Sequence, residues 1–190
     1  MKKHAAGIAT AHYAKKENLM SERKGIITFQ GNELTLLGTP VKVGDKAPAV
    51  TLLGNDLSPV NLADYIGKPL ILSAVPSLDT PVCDMETRRF NQEAANLSDD
   101  IAILTVSMDL PFAQARWCAA AGIDKVKTVS DHKDAAFGEA YGVLIKELRL
   151  LTRAVFVVDR EGTIAYIEVV PEITNEPNYD AALEAVKKIA

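Results

Sequence analysis

The fold class this sequence predicts is a single α/β domain: a mixed sheet flanked by helices and led by an N-terminal β-hairpin. Three observations support it. Apolar runs of strand length at 70–75, 101–107 and 126–130 alternate with stretches of helical period, the pattern of right-handed parallel β-α-β crossovers. Two later runs, 154–158 and 163–168, face each other across 159–162, which adds antiparallel pairing to the sheet. No repeat, low-complexity tract or linker divides the 190 residues, a length suited to one domain with an extension.

Each element has a local reason. Runs 26–29 and 34–37 flank Gly31-Asn32, a hairpin turn signal. Residues 43–48 read as a loop. Residues 50–53 read as a short strand broken by Gly54-Asn55-Asp56, and 61–66 as a helical turn stopped by Gly67. After the buried strand 70–75, Thr80 can cap a helix with Pro81 at its first position, where the missing N–H costs nothing. Along that helix Cys83, Phe90, Ala94 and Leu97 fall near one face. Helices are expected over 112–121, ended by Gly122, and over 134–141, ended by Gly142. Tyr179, Leu183, Val186 and Ile189 mark a C-terminal amphipathic helix.

Composition narrows the function classes. The apolar share is 48%, the charged share 24% and the formal charge −4, with basic residues dispersed, which argues against a nucleic-acid surface. No apolar run reaches bilayer-spanning length. The first twenty residues are rich in Lys and Ala but lack the continuous apolar core of a secretory signal. We expect residues 1–20 to form an extension outside the main fold, dispensable for function, and 21–190 to form the domain. The two cysteines, Cys83 and Cys118, stand 35 positions apart with no C-x-x-C. That is not a disulfide scaffold, and a reducing cytoplasmic location is the default expectation.

The stretch Pro76-Ser77-Leu78-Asp79-Thr80-Pro81-Val82-Cys83 carries the chemistry. It runs from a strand through a turn into a helix and places Cys83 in the first helical turn. Backbone N–H groups there lack intrahelical partners and carry partial positive charge, so a thiolate is stabilised. An unperturbed thiol, with a pKa near ~8.5, is only a few per cent ionised at neutral pH; a helix start and a nearby cation raise that fraction. Cys83 is therefore a candidate nucleophile, with a buried structural cysteine as the plain alternative. Thr80 is either the helix cap or a hydroxyl facing the thiolate and a substrate oxygen. Pro76 is either a turn residue or a shield against water. Asp79 and Asp84 read as solvated partners of the helix dipole, and His132 as a loop residue.

These residues carry a family resemblance. Pro76, Thr80 and Cys83 reproduce Pro-x-x-x-Thr-x-x-Cys, the peroxiredoxin active-site pattern, and the full run resembles the bacterial thiol peroxidase branch with its atypical two-cysteine arrangement. Phe29-Gln30-Gly31-Asn32, residues 109–118, 153–159 and 172–177 are similar to other segments of that branch. The resemblance spans about 26–190; the first twenty residues match nothing in the family. It implies a thioredoxin-like fold and reduction of hydrogen peroxide and organic hydroperoxides. Cys83 would be the peroxidatic cysteine, oxidised to a sulfenic acid, and Cys118 the resolving cysteine. The two would close an intrasubunit disulfide recycled by thioredoxin. The resemblance also implies a homodimer without metal, haem or flavin.

Arg153, just before the run 154–158, is either an exposed strand-end charge or a guanidinium aimed at the thiolate and the leaving oxygen. The family pattern favours the second; without it Arg88, one turn along the Cys83 helix, ranks equally. Cys118 is either a packed helical cysteine or the resolving thiol. A disulfide needs Cα atoms within about 7 Å, so resolution implies local unwinding of one or both helices. Leu78 and Val82 suit an alkyl tail of a substrate or simple packing. Two rivals remain at this level: a cysteine hydrolase pairing Cys83 with His132 and Asp131 or Asp134, and a redox sensor using the same two thiols.

Overall fold

A computed structural model describes residues 21–190; the expected extension 1–20 lies outside the described residues. The chain forms β1 (Glu22–Phe29), β2 (Asn32–Leu37), β3 (Thr51–Leu53), β4 (Pro59–Asn61), a 3-10 turn (Leu62–Tyr65), β5 (Leu70–Ala74), α1 (Pro81–Ala94), β6 (Ala102–Ser107) and α2 (Pro111–Ala121). It continues with β7 (Lys127–Ser130), α3 (Ala136–Ala140), β8 (Leu144–Ile145), β9 (Ala154–Val158), β10 (Ile164–Val169) and α4 (Tyr179–Ile189).

Seven strands form the central sheet in the order β10-β9-β5-β6-β7-β3-β4. The neighbours β5, β6 and β7 run parallel, while β9 pairs antiparallel with β5 and β10. The sheet is mixed, as the alternation of runs and the late hairpin predict. β5, β6 and β9 are the central strands, and period-two alternation sends their side chains to opposite faces. Leu72, Ala74, Leu104, Val106, Phe156 and Val158 join Phe137 and Tyr141 on one face. Ile71, Ile103, Val155 and Val157 meet Phe90 of α1 and Tyr179, Leu183 and Val186 of α4 on the other. Continuous apolar strands are what burial on both faces demands.

The N-terminal hairpin is present and longer than the sequence predicts. β1 starts at Glu22 and carries a register irregularity between Arg23 and Ile27, where Gly25 takes φ +68°, as a bulge requires. β2 also pairs with β8, giving a separate three-stranded sheet β1-β2-β8. β4 and β8, three and two residues long, are too short for any periodicity to declare them. Helix α3 starts at Ala136 rather than Asp134. Ala135 adopts a left-handed φ of 53°, and the Asp131 carboxylate accepts the Phe137 and Gly138 N–H groups. Gly122 closes α2 at φ +68°, the left-handed ending the sequence signals. Among the described residues no helix is long and apolar enough to cross a membrane.

Candidate active site

The end of β5 delivers the chain into 76–80, and α1 begins at Pro81 with Thr80 in the capping position. Cys83 therefore sits in the first turn, where the helix offers its unpaired N–H groups. Its side chain is wholly buried, packed with Val75 and Leu78 and flanked by Trp117. Two donors reach the sulfur. The Thr80 hydroxyl lies 2.8 Å from Sγ, and Arg153 Nη2 lies 3.4 Å away.

Thr80 does not cap the helix with its side chain, contrary to the simpler of its two expected roles. Its hydroxyl is instead placed between Sγ and the Ser77 carbonyl, which is also 2.8 Å away. One hydroxyl carries one proton, so it donates to the sulfur when the sulfur is a thiolate. When it donates to Ser77, it can accept from the thiol.

Arg153 precedes β9 but is not an exposed strand-end charge: it is 2% exposed. Its guanidinium is held from three sides. Nε and Nη2 both donate to the Ile173 carbonyl, at 3.1 and 3.0 Å. Nη1 donates to Glu86 in a fully buried ion pair, and Nη2 turns its second hydrogen to Cys83. Of the five guanidinium hydrogens, one on Nη1 is left with no partner among the described residues. Glu86 also accepts the Ser73 hydroxyl at 2.7 Å. Burial pushes the Glu86 carboxyl above its ordinary range, against the pull of Arg153 and Ser73. Burial opposes the Arg153 charge too, but Glu86 and Cys83 outweigh it and its pKa is raised. The sulfur thus faces a permanent cation in a site with little water.

The 76–80 turn is fastened from below by Asp109. Its carboxylate accepts the Ser77 hydroxyl at 2.7 Å, the Leu78 N–H at 2.8 Å and the Ser107 hydroxyl at 2.7 Å. Buried Gln114 of α2 donates to Ser107 Oγ and to the Val129 carbonyl, both at 3.0 Å. Pro76 is buried in the same turn, although Val75 and Leu78, not Pro76, form the apolar cluster around Cys83.

Cys118 lies on α2 and is half-buried. Its Sγ is 3.2 Å from the Thr128 hydroxyl of β7, and Thr128 in turn bonds Asn55. Both cysteines are free thiols. Next to Cys118, Trp117 packs on the Cys83 cluster and donates its indole N–H to Asp84 at 2.9 Å. Asp84 is thus more than a solvated dipole partner. Arg88, the alternative cation, is committed to Asp84 and to the Ala121 carbonyl and lies over Trp117.

The hydrolase constellation does not assemble. Asp131 is occupied by backbone N–H groups, and His132 Nδ1 pairs with Ser130. Sequence reasoning missed Glu86, Ile173, Asp109 and Trp117. A signal existed for Glu86, an ionisable residue on the helix face that also carries Cys83 and Phe90. None existed for Ile173, which acts through its carbonyl.

The Redoxin family model matches residues 42–183. The thiol peroxidase of Halalkalibacterium halodurans is 62% identical over 161 residues, covering 85% of this chain and 96% of that protein. The thiol peroxidase of Bacillus subtilis is 59% identical over 163 residues, covering 86% and 97%. Among solved structures, a peroxiredoxin-like protein from Aquifex aeolicus superposes with a TM-score of 0.82 at 41% identity, covering 90% of this chain and 99% of that one.

Proposed function

Given that the chain belongs to the redoxin family, and within it to the thiol peroxidase branch of the peroxiredoxins, we propose that Cys83 attacks the peroxide and Cys118 resolves the product. The fold is thioredoxin-like, and the protein is a thiol-based peroxidase. The observation that carries the residue assignment is the buried Cys83 sulfur, with Thr80 Oγ1 at 2.8 Å and Arg153 Nη2 at 3.4 Å.

The Cys83 thiolate attacks the terminal oxygen of a hydroperoxide. The S–O bond forms, the O–O bond breaks, and the departing alkoxide or hydroxide takes a proton to leave as alcohol or water. Negative charge moves from sulfur to the leaving oxygen. Arg153 is preorganised to follow that charge, because its geometry is already fixed by Glu86 and Ile173. Thr80 can turn its proton from the sulfur to the substrate oxygen. Val75 and Leu78 keep the site dry, which strengthens both interactions.

The resulting sulfenic acid condenses with the Cys118 thiol, forming the disulfide and releasing water. Cys118 faces Thr128, and Trp117 is anchored to Asp84, so this step requires the first turn of α1 or the end of α2 to unwind. A dithiol reductant then restores both thiols; family membership supports thioredoxin in that role. It also supports a homodimer and a cytoplasmic setting. Residues 21–190 are proposed as the functional unit, with 1–20 dispensable.

Stopped-flow oxidation with hydrogen peroxide and cumene hydroperoxide tests the assignment. Cys83→Ser should consume no peroxide. Cys118→Ser should take up one equivalent and fail to turn over with thioredoxin. Arg153→Ala should lose roughly two to three orders of magnitude in rate. Sustained thioredoxin-driven turnover in Cys118→Ser would remove its resolving role, and mass mapping of the cystine identifies the linked pair.

A further inference from the structure

The N-terminal hairpin makes no direct bond to Cys83, yet four independent contacts tie it to the segment that aims Arg153. Thr28 N–H donates to the Pro171 carbonyl at 2.7 Å, and Ile173 N–H donates to the Thr28 carbonyl at 3.0 Å. The Ile173 side chain is buried in a cluster with Ile27, Leu34, Leu36 and Ile145, all from the hairpin sheet. The fourth contact is the Glu172 carboxylate. From the hairpin it accepts the Thr28 hydroxyl at 2.8 Å, Gln30 N–H at 3.1 Å and Gly31 N–H at 3.0 Å. From its own loop it accepts the Thr174 N–H at 3.1 Å and hydroxyl at 2.7 Å.

The hairpin turn is shaped for this contact. Gln30 and Gly31 both have positive φ, 51° and 79°, as a two-residue turn of right-handed strands requires. A glutamine is disfavoured there, and the N–H groups of this pair converge on one carboxylate, which helps to hold it.

We propose that Glu172 is a positioning residue for the peroxidase reaction, its carboxylate fastening the β1–β2 turn to the loop whose Ile173 carbonyl aims Arg153 at Cys83. Two donors of one guanidinium share that carbonyl, so its position sets the rotation of the guanidinium plane. Nη2, one of those two donors, is also the atom facing Sγ. Moving the carbonyl moves the cation relative to the sulfur. The proposal rests on the reading of Arg153 given above.

The sign of one measurement separates positioning from simple charge. Glu172→Gln removes a negative charge and, by field alone, would favour the Cys83 thiolate. Displacing Arg153 would disfavour it. An amide in place of the carboxylate turns an N–H group toward donors it cannot accept from, so one side of the fastening opens. The thiolate absorbance of Cys83, titrated in a Cys118→Ser background, and the rate with hydrogen peroxide are the readouts.

Glu172→Gln should move the titration midpoint to higher pH and slow peroxide consumption roughly three- to tenfold. Thr28→Val, which removes a single donor, should do the same to a smaller degree and serves if Glu172→Gln folds poorly. In an Arg153→Ala background Glu172→Gln should no longer raise the midpoint or slow the reaction, leaving only the small opposite effect of the lost charge. A midpoint that stays or moves to lower pH, or an equal loss in the Arg153→Ala background, would overturn the proposal. If Arg153→Ala is impaired and Glu172→Gln is not, only the proposal falls. If Arg153→Ala leaves rate and titration unchanged, the reading of the site falls and the proposal with it.

Discussion

Glu86→Gln isolates one charge at the centre of the site. Glu86 and Arg153 are 0% and 2% exposed, and the Glu86 carboxylate is held by Ser73 and by Arg153 Nη1. Glutamine keeps the shape and an oxygen for hydrogen bonding but leaves the guanidinium without its carboxylate. Removing one partner of a buried pair costs about 3–5 kcal/mol; the isosteric amide belongs at the low end, about 3 kcal/mol. For a domain of this size that lowers the melting temperature by roughly 6–12 °C. The effect on the sulfur has the opposite sense. With Glu86 neutralised, the Cys83 thiolate is the remaining anion against Arg153, so the thiolate becomes more favourable. Urea unfolding of the reduced protein measures the first effect, and a thiolate absorbance titration the second. Unchanged stability would mean that Glu86 is already protonated in the folded protein. A titration midpoint displaced to higher pH would refute the competition between Glu86 and Cys83 for one cation.

Thr80→Val removes the hydroxyl 2.8 Å from Sγ and should slow peroxide reduction about tenfold, the worth of a hydrogen bond to a charged group; an unaltered rate would leave Thr80 without a chemical role. Asp84→Ala frees Trp117 and Arg88 together. The pair is partly exposed, so about 1 kcal/mol is released after screening, and disulfide closure should accelerate about fivefold by the fluorescence of the single tryptophan. Slower closure would show that this contact does not oppose unwinding. Glu172 supplies a pH test. Its carboxyl is held down from 4.5 to about 2, first by the Gly31 N–H and then by Thr174 and Thr28. A depressed carboxyl stabilises the fold above its unfolded pKa and loses that contribution as pH falls through the folded value. The unfolding midpoint of the parent protein should therefore fall more steeply than that of Glu172→Gln between pH 4.5 and 2; parallel curves would count against the fastening.

Much of the sheet was legible because its rules are local. Strand-length runs at β5, β6 and β9 are mostly apolar because both faces are covered, with Ser73, Thr105 and Ser107 the buried polar exceptions, and Pro81 and Gly122 mark helix ends by backbone sterics alone. The placement of Cys83 followed from the same punctuation. β4 and β8 escaped because neither stands out as an apolar run of its own, and each is declared only by its pairing with a partner strand. The start of α3 escaped because it is set by the Asp131 side chain bonding residues six and seven positions on.

Sequence alone determined that a cysteine would begin a helix after a buried strand, because turn chemistry and hydrophobic period act over a few residues. Tertiary structure decided what surrounds that sulfur. Arg153, the Ile173 carbonyl that guides it and Asp109 beneath the turn come from segments far from Cys83 in the chain, while Glu86 lies on α1 itself and only its pairing with Arg153 is tertiary. Their selection depends on sheet order and register, which bring β5, β9 and the loop after β10 to one point in space. A long side chain is aimed by whichever donors and acceptors that convergence leaves within reach, and no window of sequence contains them.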